Sequence, residues 1–176
     1  MAIWVRHIVN GVIWITGLAG AGKTSIASEV VRQLRELGQP CVLLDGDVLR
    51  AIVGEGRHDR ESRLAMAYRI ARLAALIGKQ GIAAVVATIS LFHEVHAFNR
   101  SVSTHYFEVI VNCPLATLKQ RHTIYNSVDL SEVVGIGIEP EFPKAPHWSV
   151  DNSGNTSRFD VHATALIAAW IAHVGL

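Results

Sequence analysis

Near the amino end, Gly17-Leu18-Ala19-Gly20-Ala21-Gly22-Lys23-Thr24 has the spacing G-x-x-x-x-G-K-T and directly follows the apolar run Val12-Ile13-Trp14-Ile15. Glycines let a backbone curl so that successive N–H groups point inward at phosphates, and a helix starting at Lys23 would add the positive end of its dipole. Lys23 offers a point charge and Thr24 a hydroxyl suited to Mg²⁺. The pattern predicts a nucleoside triphosphate cradled by Gly17, Ala19, Gly20, Ala21, Gly22, Lys23, Thr24 and Ser25. A Gly-rich turn with an incidental lysine is the competing reading. The strand expected before the loop and the helix expected after it weigh against that.

A second charged cluster follows another apolar run. Cys41-Val42-Leu43-Leu44 leads into Asp45-Gly46-Asp47-Val48-Leu49-Arg50, which brings two carboxylates and a guanidinium to the end of a strand. In an open α/β sheet that edge is where ligands bind, so these charges should face the triphosphate. One carboxylate can hold Mg²⁺ or its waters, the other can accept the proton of an attacking hydroxyl, and Arg50 can bind an anionic acceptor. We assign Lys23, Asp45 and Asp47 as catalytic and Thr24 with Asp45 as metal-associated; the two Asp roles are interchangeable at this level. The plainer reading of Asp45 is a helix cap, against which Gly46 suggests close approach of a ligand.

These groups need a scaffold. Short apolar runs alternate with stretches of helical period, the pattern of an α/β fold with a parallel sheet covered by helices on both faces. Five strands are expected, at Val12 to Thr16, Cys41 to Asp45, Ile82 to Ser90, Tyr106 to Asn112 and Ser149 to Asp151. Helices are expected at Lys23 to Glu36, Asp47 to Val53, Arg60 to Lys79, Phe92 to Ser101, Pro114 to Gln120 and Asp160 to His173. Residues 1–11 fall outside the alternation and are read as a surface arm carrying Ile3-Trp4-Val5. The stretch 122–145 mixes Gly, Pro, Asn and acidic residues and reads as too polar for the core; a lid or a long surface loop are equal alternatives.

Composition narrows the partners. The chain has 176 residues, half of them hydrophobic and 18 % charged, with formal net charge +1. That predicts a single domain over 1–176 and argues against a nucleic-acid-binding surface. Apolar runs are too short for a membrane span, and no secretion signal opens the chain, which points to a cytoplasmic protein. Cys41 and Cys113, the only cysteines, read as buried core thiols rather than a disulfide or zinc site.

The phosphate loop, Leu44-Asp45-Gly46-Asp47-Val48-Leu49-Arg50 and Thr88-Ile89-Ser90 together resemble the adenylylsulfate kinase family, and the similarity runs through most of the chain. Ser62-Arg63, Arg69, Arg100, Pro114-Leu115, Gly135-Ile136, Glu141, Pro143 and Pro146 also fall on family positions. The resemblance implies a P-loop kinase that moves the γ-phosphate of ATP to the ribose 3′-hydroxyl of a nucleotide such as adenylyl sulfate. It also implies Mg²⁺ as cofactor, a homodimer as the common assembly, and an acceptor site at Asp47, Arg50, His58, Arg63, Ile89, Ser90 and Phe92. The departures bear on the acceptor. Ala65 and Met66 replace a Glu-Asn pair, His58 stands at the base-stacking aromatic, Leu91 replaces a proline, and His93 and His96 stand where arginines are usual. The lid motif is shortened to Arg121-His122-Thr123-Ile124-Tyr125, without its lysine.

The run Ala87 to Arg100 is more specific still. It resembles the branch found among surface-polysaccharide genes, in which cytidine diphosphoramidate kinase phosphorylates the same ribose position of another nucleotide. A reading of a different class, a nucleotide-binding module without catalysis, is opposed by Lys23, Thr24, Asp45, Asp47 and Arg50 all being present.

His93 and His96 lack the H-E-x-x-H spacing of zinc peptidases and read as acceptor contacts or helix surface rather than metal ligands. In the row Arg60, Arg63, Arg69, Arg72, only Arg63 stands out from a solvated helix face. Met66 reads as core packing, and Trp14 and Trp148 as structural aromatics.

Overall fold

In the computed structural model, β1 (Gly11–Thr16) is buried at every position, because its alternating side chains feed two cores. Ile13 and Ile15 meet Val30, Leu34, Val85, Val109, Leu166 and Trp170 on one side. Val12 and Trp14 meet Met66, Ile70, Ala74, Val86 and Phe92 on the other. Fully burying a side chain of this size is worth roughly 1.5–3 kcal/mol, so β1 anchors both layers. The structure describes residues 10–127, 129–154 and 158–175; the arm read at Ile3-Trp4-Val5 lies outside them.

Around β1 stand β2 (Cys41–Asp45), β3 (Ala83–Ala87), β4 (Tyr106–Asn112) and β5 (Trp148–Asp151), in the order β2-β3-β1-β4-β5. Every pairing is parallel, and the central strands β1, β3 and β4 are near-continuously buried, as a sheet covered on both faces makes them. The expected five-stranded parallel sheet is present. Ala87 is the register partner of both Ile15 and Asp45, so the loops leaving β1, β2 and β3 start at one level of the sheet. That alignment builds the site.

Helices α1 (Lys23–Glu36) and α6 (Phe159–Val174) pack together on one face, and α3 (Arg60–Lys79) and α4 (His93–Val102) on the other. α2 (Gly46–Ile52) and α5 (Leu115–Arg121) are short. α3 begins where its sequence demands, with the Asp59 carboxylate accepting from the Ser62 N–H at 2.9 Å. Its inner face is small (Ala67, Ala71, Ala74, Ala75, Gly78), which lets it lie close to the sheet. A Cβ at Gly78 would come within 3.4 Å of Gly11 Cα. Among the described residues, no helix is long and apolar enough to cross a membrane.

Three expectations are corrected. β3 ends at Ala87 rather than Ser90, because Thr88, Ile89 and Ser90 peel off toward the cleft, held there by the Thr16 hydroxyl donating to the Ile89 carbonyl at 2.7 Å. The stretch 122–145 is not wholly polar surface. It contains a 3₁₀ turn, Thr123–Asn126, and contributes Tyr125, Val133 and Val134 to the buried set, three apolar anchors that an average over the segment conceals. Cys113 lies just past β4 and is half-buried, unlike the buried Cys41.

Candidate active site

The phosphate loop leaves β1 at Gly17 and turns into α1 at Lys23. Gly20 (φ 73°) and Gly22 (φ 99°) occupy the left-handed region, which side-chain-bearing residues avoid. The loop is gripped from outside. The Tyr125 hydroxyl donates to the Ala19 carbonyl at 2.9 Å and the Asn152 amide to the Ala21 carbonyl at 2.8 Å. With those carbonyls turned outward, the alternating peptide planes leave N–H groups for the cradle.

Lys23 Nζ donates to the Leu18 carbonyl at 2.8 Å, bridging the loop's own mouth. Burial of the ammonium pulls its pKa down to about 8, against the opposing pull of Asp47 and then Asp45. A cation held at a desolvation cost is one that an arriving anion stabilises. Beside it, Thr24 Oγ1 donates to Asp45 Oδ2 at 2.7 Å.

Asp45 does two jobs. Its Oδ1 accepts from the N–H groups of Asp47 (2.9 Å) and Val48 (3.3 Å) and so caps α2, while Oδ2 faces Thr24. The capping reading and the functional reading therefore hold together: the cap fixes the orientation of the other oxygen. Gly46 has a packing reason besides the one expected. It is buried, and a Cβ there would meet Thr88 Oγ1 at 2.8 Å and Thr88 Cβ at 3.1 Å, so it lets α2 sit tight against the end of β3. Asp47, one residue on, is exposed to the cleft.

Two adjoining hollows open at this edge of the sheet. One is lined by Ala19, Gly20, Gly22, Lys23, Thr24 and Ser25. Of the other residues assigned to the triphosphate, Gly17 and Ala21 lie behind this lining, both buried; a Cβ at Gly17 would meet the Val111 carbonyl at 2.6 Å. The second hollow is lined by Asp47, Arg50, His58, Arg63, Ile89, Ser90 and Phe92. The structure thus brings together all seven residues assigned to the acceptor. Ala19, Asp47, Thr88, Ile89 and His122 belong to both hollows and mark their junction.

The second hollow has a cationic side. Arg63 donates Nε–H to the His58 carbonyl at 2.6 Å and an Nη–H to the Glu132 carbonyl at 2.9 Å, while Arg50 donates to the Arg57 carbonyl at 3.0 Å. Burial lowers the Arg63 pKa, and the nearby Arg50 charge lowers it further. Two neighbouring guanidiniums held by backbone carbonyls suit a bound anion, which would relieve their repulsion. An apolar wall continues from Arg63 along the same face of α3 through Met66, Ala67 and Ile70, and Val134 also belongs to the lining.

Sequence reasoning had not assigned Met66, Thr88, His122 or Val134 to the site. Thr88 lies within the Thr88-Ile89-Ser90 motif and His122 within the shortened lid motif, and Met66 stands at a family position for an acceptor contact; Val134 carries no signal apart from tertiary placement. His93 and His96 are the reverse case, since neither lines the hollow. His93 Nε2 sits 3.0 Å from the Phe142 carbonyl. His96 is buried behind the wall, with Nε2 at 3.1 Å from the Ser90 carbonyl, and burial lowers its pKa. Arg60 pairs with Glu94 and Glu141, and Arg72 lies over the Tyr68 and Phe98 rings; only Arg63 of that row enters the site. Among the described residues, no three His, Cys, Asp or Glu side chains cluster as metal ligands.

Comparison with known proteins shows the family and the fold. Residues 10–151 match the family model described as adenylylsulphate kinase. The chain is 37 % identical over 139 residues to the cytidine diphosphoramidate kinase of Campylobacter jejuni, covering 76 % of this chain and 82 % of that one. It is 39 % identical over 114 residues to the adenylyl-sulfate kinase of Chloroflexus aurantiacus, covering 62 % of this chain and 60 % of that enzyme's length. Among solved structures, the Mycobacterium tuberculosis APS kinase in complex with AMPPNP and APS superposes with a TM-score of 0.80 at 29 % identity, covering 91 % of this chain and 96 % of that one. Shikimate kinase from Acinetobacter baumannii, at 14 % identity and TM-score 0.63, shares the fold.

Proposed function

Because the chain belongs to the adenylylsulphate kinase family, and is by that membership a kinase, we propose that it transfers the γ-phosphoryl group of ATP to the ribose 3′-hydroxyl of cytidine diphosphoramidate. The observation that carries the acceptor is Met66. It is buried and lines the acceptor hollow at the position where adenylylsulfate kinases place an asparagine, so a polar contact to their acceptor is replaced by an apolar wall with Ala67 and Ile70. The broader alignment with the Campylobacter enzyme, 82 % of its length against 60 % for the Chloroflexus kinase, supports the same choice. Adenylyl sulfate is the second reading, favoured by Arg50 and Arg63 lining one side of the hollow as a pair of fixed cations.

The transfer follows from the residues present. Lys23 neutralises charge on the triphosphate, and the loop N–H groups hold its oxygens. Asp47, at the junction of the hollows, accepts the proton of the attacking hydroxyl. The new O–P bond forms as the bond from the γ-phosphorus to the β-γ bridging oxygen breaks, and ADP leaves. Thr24 Oγ1 and Asp45 Oδ2, 2.7 Å apart, are hard oxygen donors that fit Mg²⁺, an ion that takes few protein ligands and keeps phosphate and water for the rest. When bound, Mg²⁺ would supply charge neutralisation on the phosphates. With Asp45 Oδ1 committed to the α2 cap, Asp45 takes the metal side and Asp47 the acceptor side.

The test is ADP release measured with cytidine diphosphoramidate and with adenylyl sulfate as acceptors. A higher kcat/KM with the cytidine nucleotide is expected. Turnover of adenylyl sulfate alone would reverse the order of the two readings, and turnover of neither would leave only nucleotide binding.

A further inference from the structure

His122 follows the last residue of α5 and stands at the junction of the two hollows, lining both the one that contains Lys23 and Thr24 and the one that contains Arg50 and Arg63. Apart from Asp47 it is the only titratable residue shared between them. Its imidazole is oriented by the chain itself. Ring Nδ1 is 3.2 Å from the Ile124 backbone nitrogen. A backbone N–H can only donate, so Nδ1 accepts and the neutral ring carries its proton on Nε2. The ring also lies over the phosphate loop. A Cβ placed on Gly20 would meet His122 Cβ at 2.9 Å and both Cγ and Cδ2 at 3.5 Å, and Cδ2 is the ring atom bonded to Nε2. The Cδ2 side of the ring, next to Nε2, therefore lies against the loop at Gly20, where the two hollows join.

We propose that His122 is a catalytic residue that donates its Nε2–H to an oxygen of the phosphoryl group during transfer. This rests on the reading of the cleft as a phosphoryl-transfer site, and adds to it a hydrogen-bond donor on the lid side in a chain whose lid carries no lysine. Asp47 and His122 then divide the work at the junction. Asp47 takes the hydroxyl proton, and His122 stabilises charge on the equatorial oxygens without giving up its own proton. A donor aimed at charge that develops only in the transition state lowers the barrier, whereas one satisfied equally in the ground state does not.

Two substitutions separate this role from a structural one. In H122N, the side-chain oxygen can still accept from the Ile124 N–H, but the amide ends short of the Nε2 position. In H122Q, the amide N–H reaches that position while the link to Ile124 is lost. The measurement is ADP affinity with and without aluminium fluoride in the presence of Mg²⁺, since ADP–aluminium fluoride imitates the phosphoryl group in flight. H122N should bind ADP as the unmodified protein does and melt at the same temperature, yet lose the aluminium fluoride-dependent tightening by on the order of a hundredfold. H122Q should recover most of it. Undiminished tightening in H122N, or no tightening in the unmodified protein, would overturn the proposal. Failure of the acceptor reading would show separately, as tightening that persists in a protein that phosphorylates neither nucleotide.

Discussion

At Lys23, burial and charge pull in opposite directions, and the balance has a measurable consequence. Desolvation brings the ammonium down to about 8, with Asp47 and Asp45 holding it from falling further. The folded chain therefore sheds this proton before the unfolded chain does. Between pH 8 and the ordinary lysine range of about 10.4 the unfolded state binds more protons, so stability rises with pH across that window, and the cost of burying the charge is fully present below it. A bound triphosphate reverses the desolvation by supplying anionic partners. Nucleotide binding at pH 8 should take up roughly half a proton, read by calorimetry in buffers of different ionisation enthalpy; K23M should abolish the uptake. Loss of the uptake only in a variant elsewhere would place the shifted group somewhere other than Lys23.

At the scale of elements, the phosphate loop is shaped by segments that arrive much later in the chain. The 3₁₀ turn at Thr123–Asn126 brings Tyr125 under Ala19, and the residue after β5, Asn152, reaches Ala21. Arg121 ties the two segments together by donating to the Asn152 carbonyl at 2.8 Å. Burial pushes the Tyr125 hydroxyl up to about 12, so it remains a donor throughout the neutral range. Y125F should cost about 1–2 kcal/mol of stability by leaving the Ala19 carbonyl without this partner. It should raise KM for ATP several-fold with a smaller change in kcat; thermal unfolding and initial rates check both. An unchanged KM would mean that the loop keeps its shape without the tether. Local signals did foretell α1 and α3, whose ends coincide with Lys23–Glu36 and Arg60–Lys79. Those ends are set by neighbouring residues, the glycine-rich turn before one and Asp59 before the other. The buried contacts of the stretch 122–145 are set by distant ones, so its composition misrepresents it.

For the molecule as a whole, the most demanding feature is a carboxylate inside β4. Glu108 is fully buried. Arg100 of α4 donates to its Oε2 at 2.6 Å and the Tyr106 hydroxyl to its Oε1 at 2.9 Å. Arg100 also donates to the Ala145 carbonyl at 2.8 Å, and the His147 N–H to the Glu108 carbonyl at 2.9 Å. One acid thus joins α4, the sheet and the segment leading into β5. Burial raises its pKa, against the pull of Tyr106 and Arg100. The folded state then holds the Glu108 proton to higher pH than the unfolded chain, and this group's contribution to stability declines as pH rises through that interval. R100A should destabilise the protein by roughly 3 kcal/mol at pH 7, the low end for a broken buried pair because Arg100 is partly solvated. The deficit should shrink as pH is lowered, because protonation of Glu108 removes the need for a cation; urea unfolding at pH 7 and at a lower pH measures it. A deficit equal at both would show that the arginine acts through packing alone.

The parallel sheet, the phosphate loop and the Asp45-Gly46-Asp47 strand end are legible in the chain alone, because each depends on residues adjacent in it or on a periodicity that a few neighbours carry; the residues lining the second hollow were reached through the family resemblance. It takes the folded chain to show that Asp45 faces Thr24 while Asp47 stands at the junction of the two hollows, that Met66 walls the second hollow, that His96 is buried beneath Ser90 and that His122 lies against Gly20. Those facts depend on the register that sets Ile15 and Asp45 level with Ala87, and on side chains that meet only once the sheet has closed the distance between them.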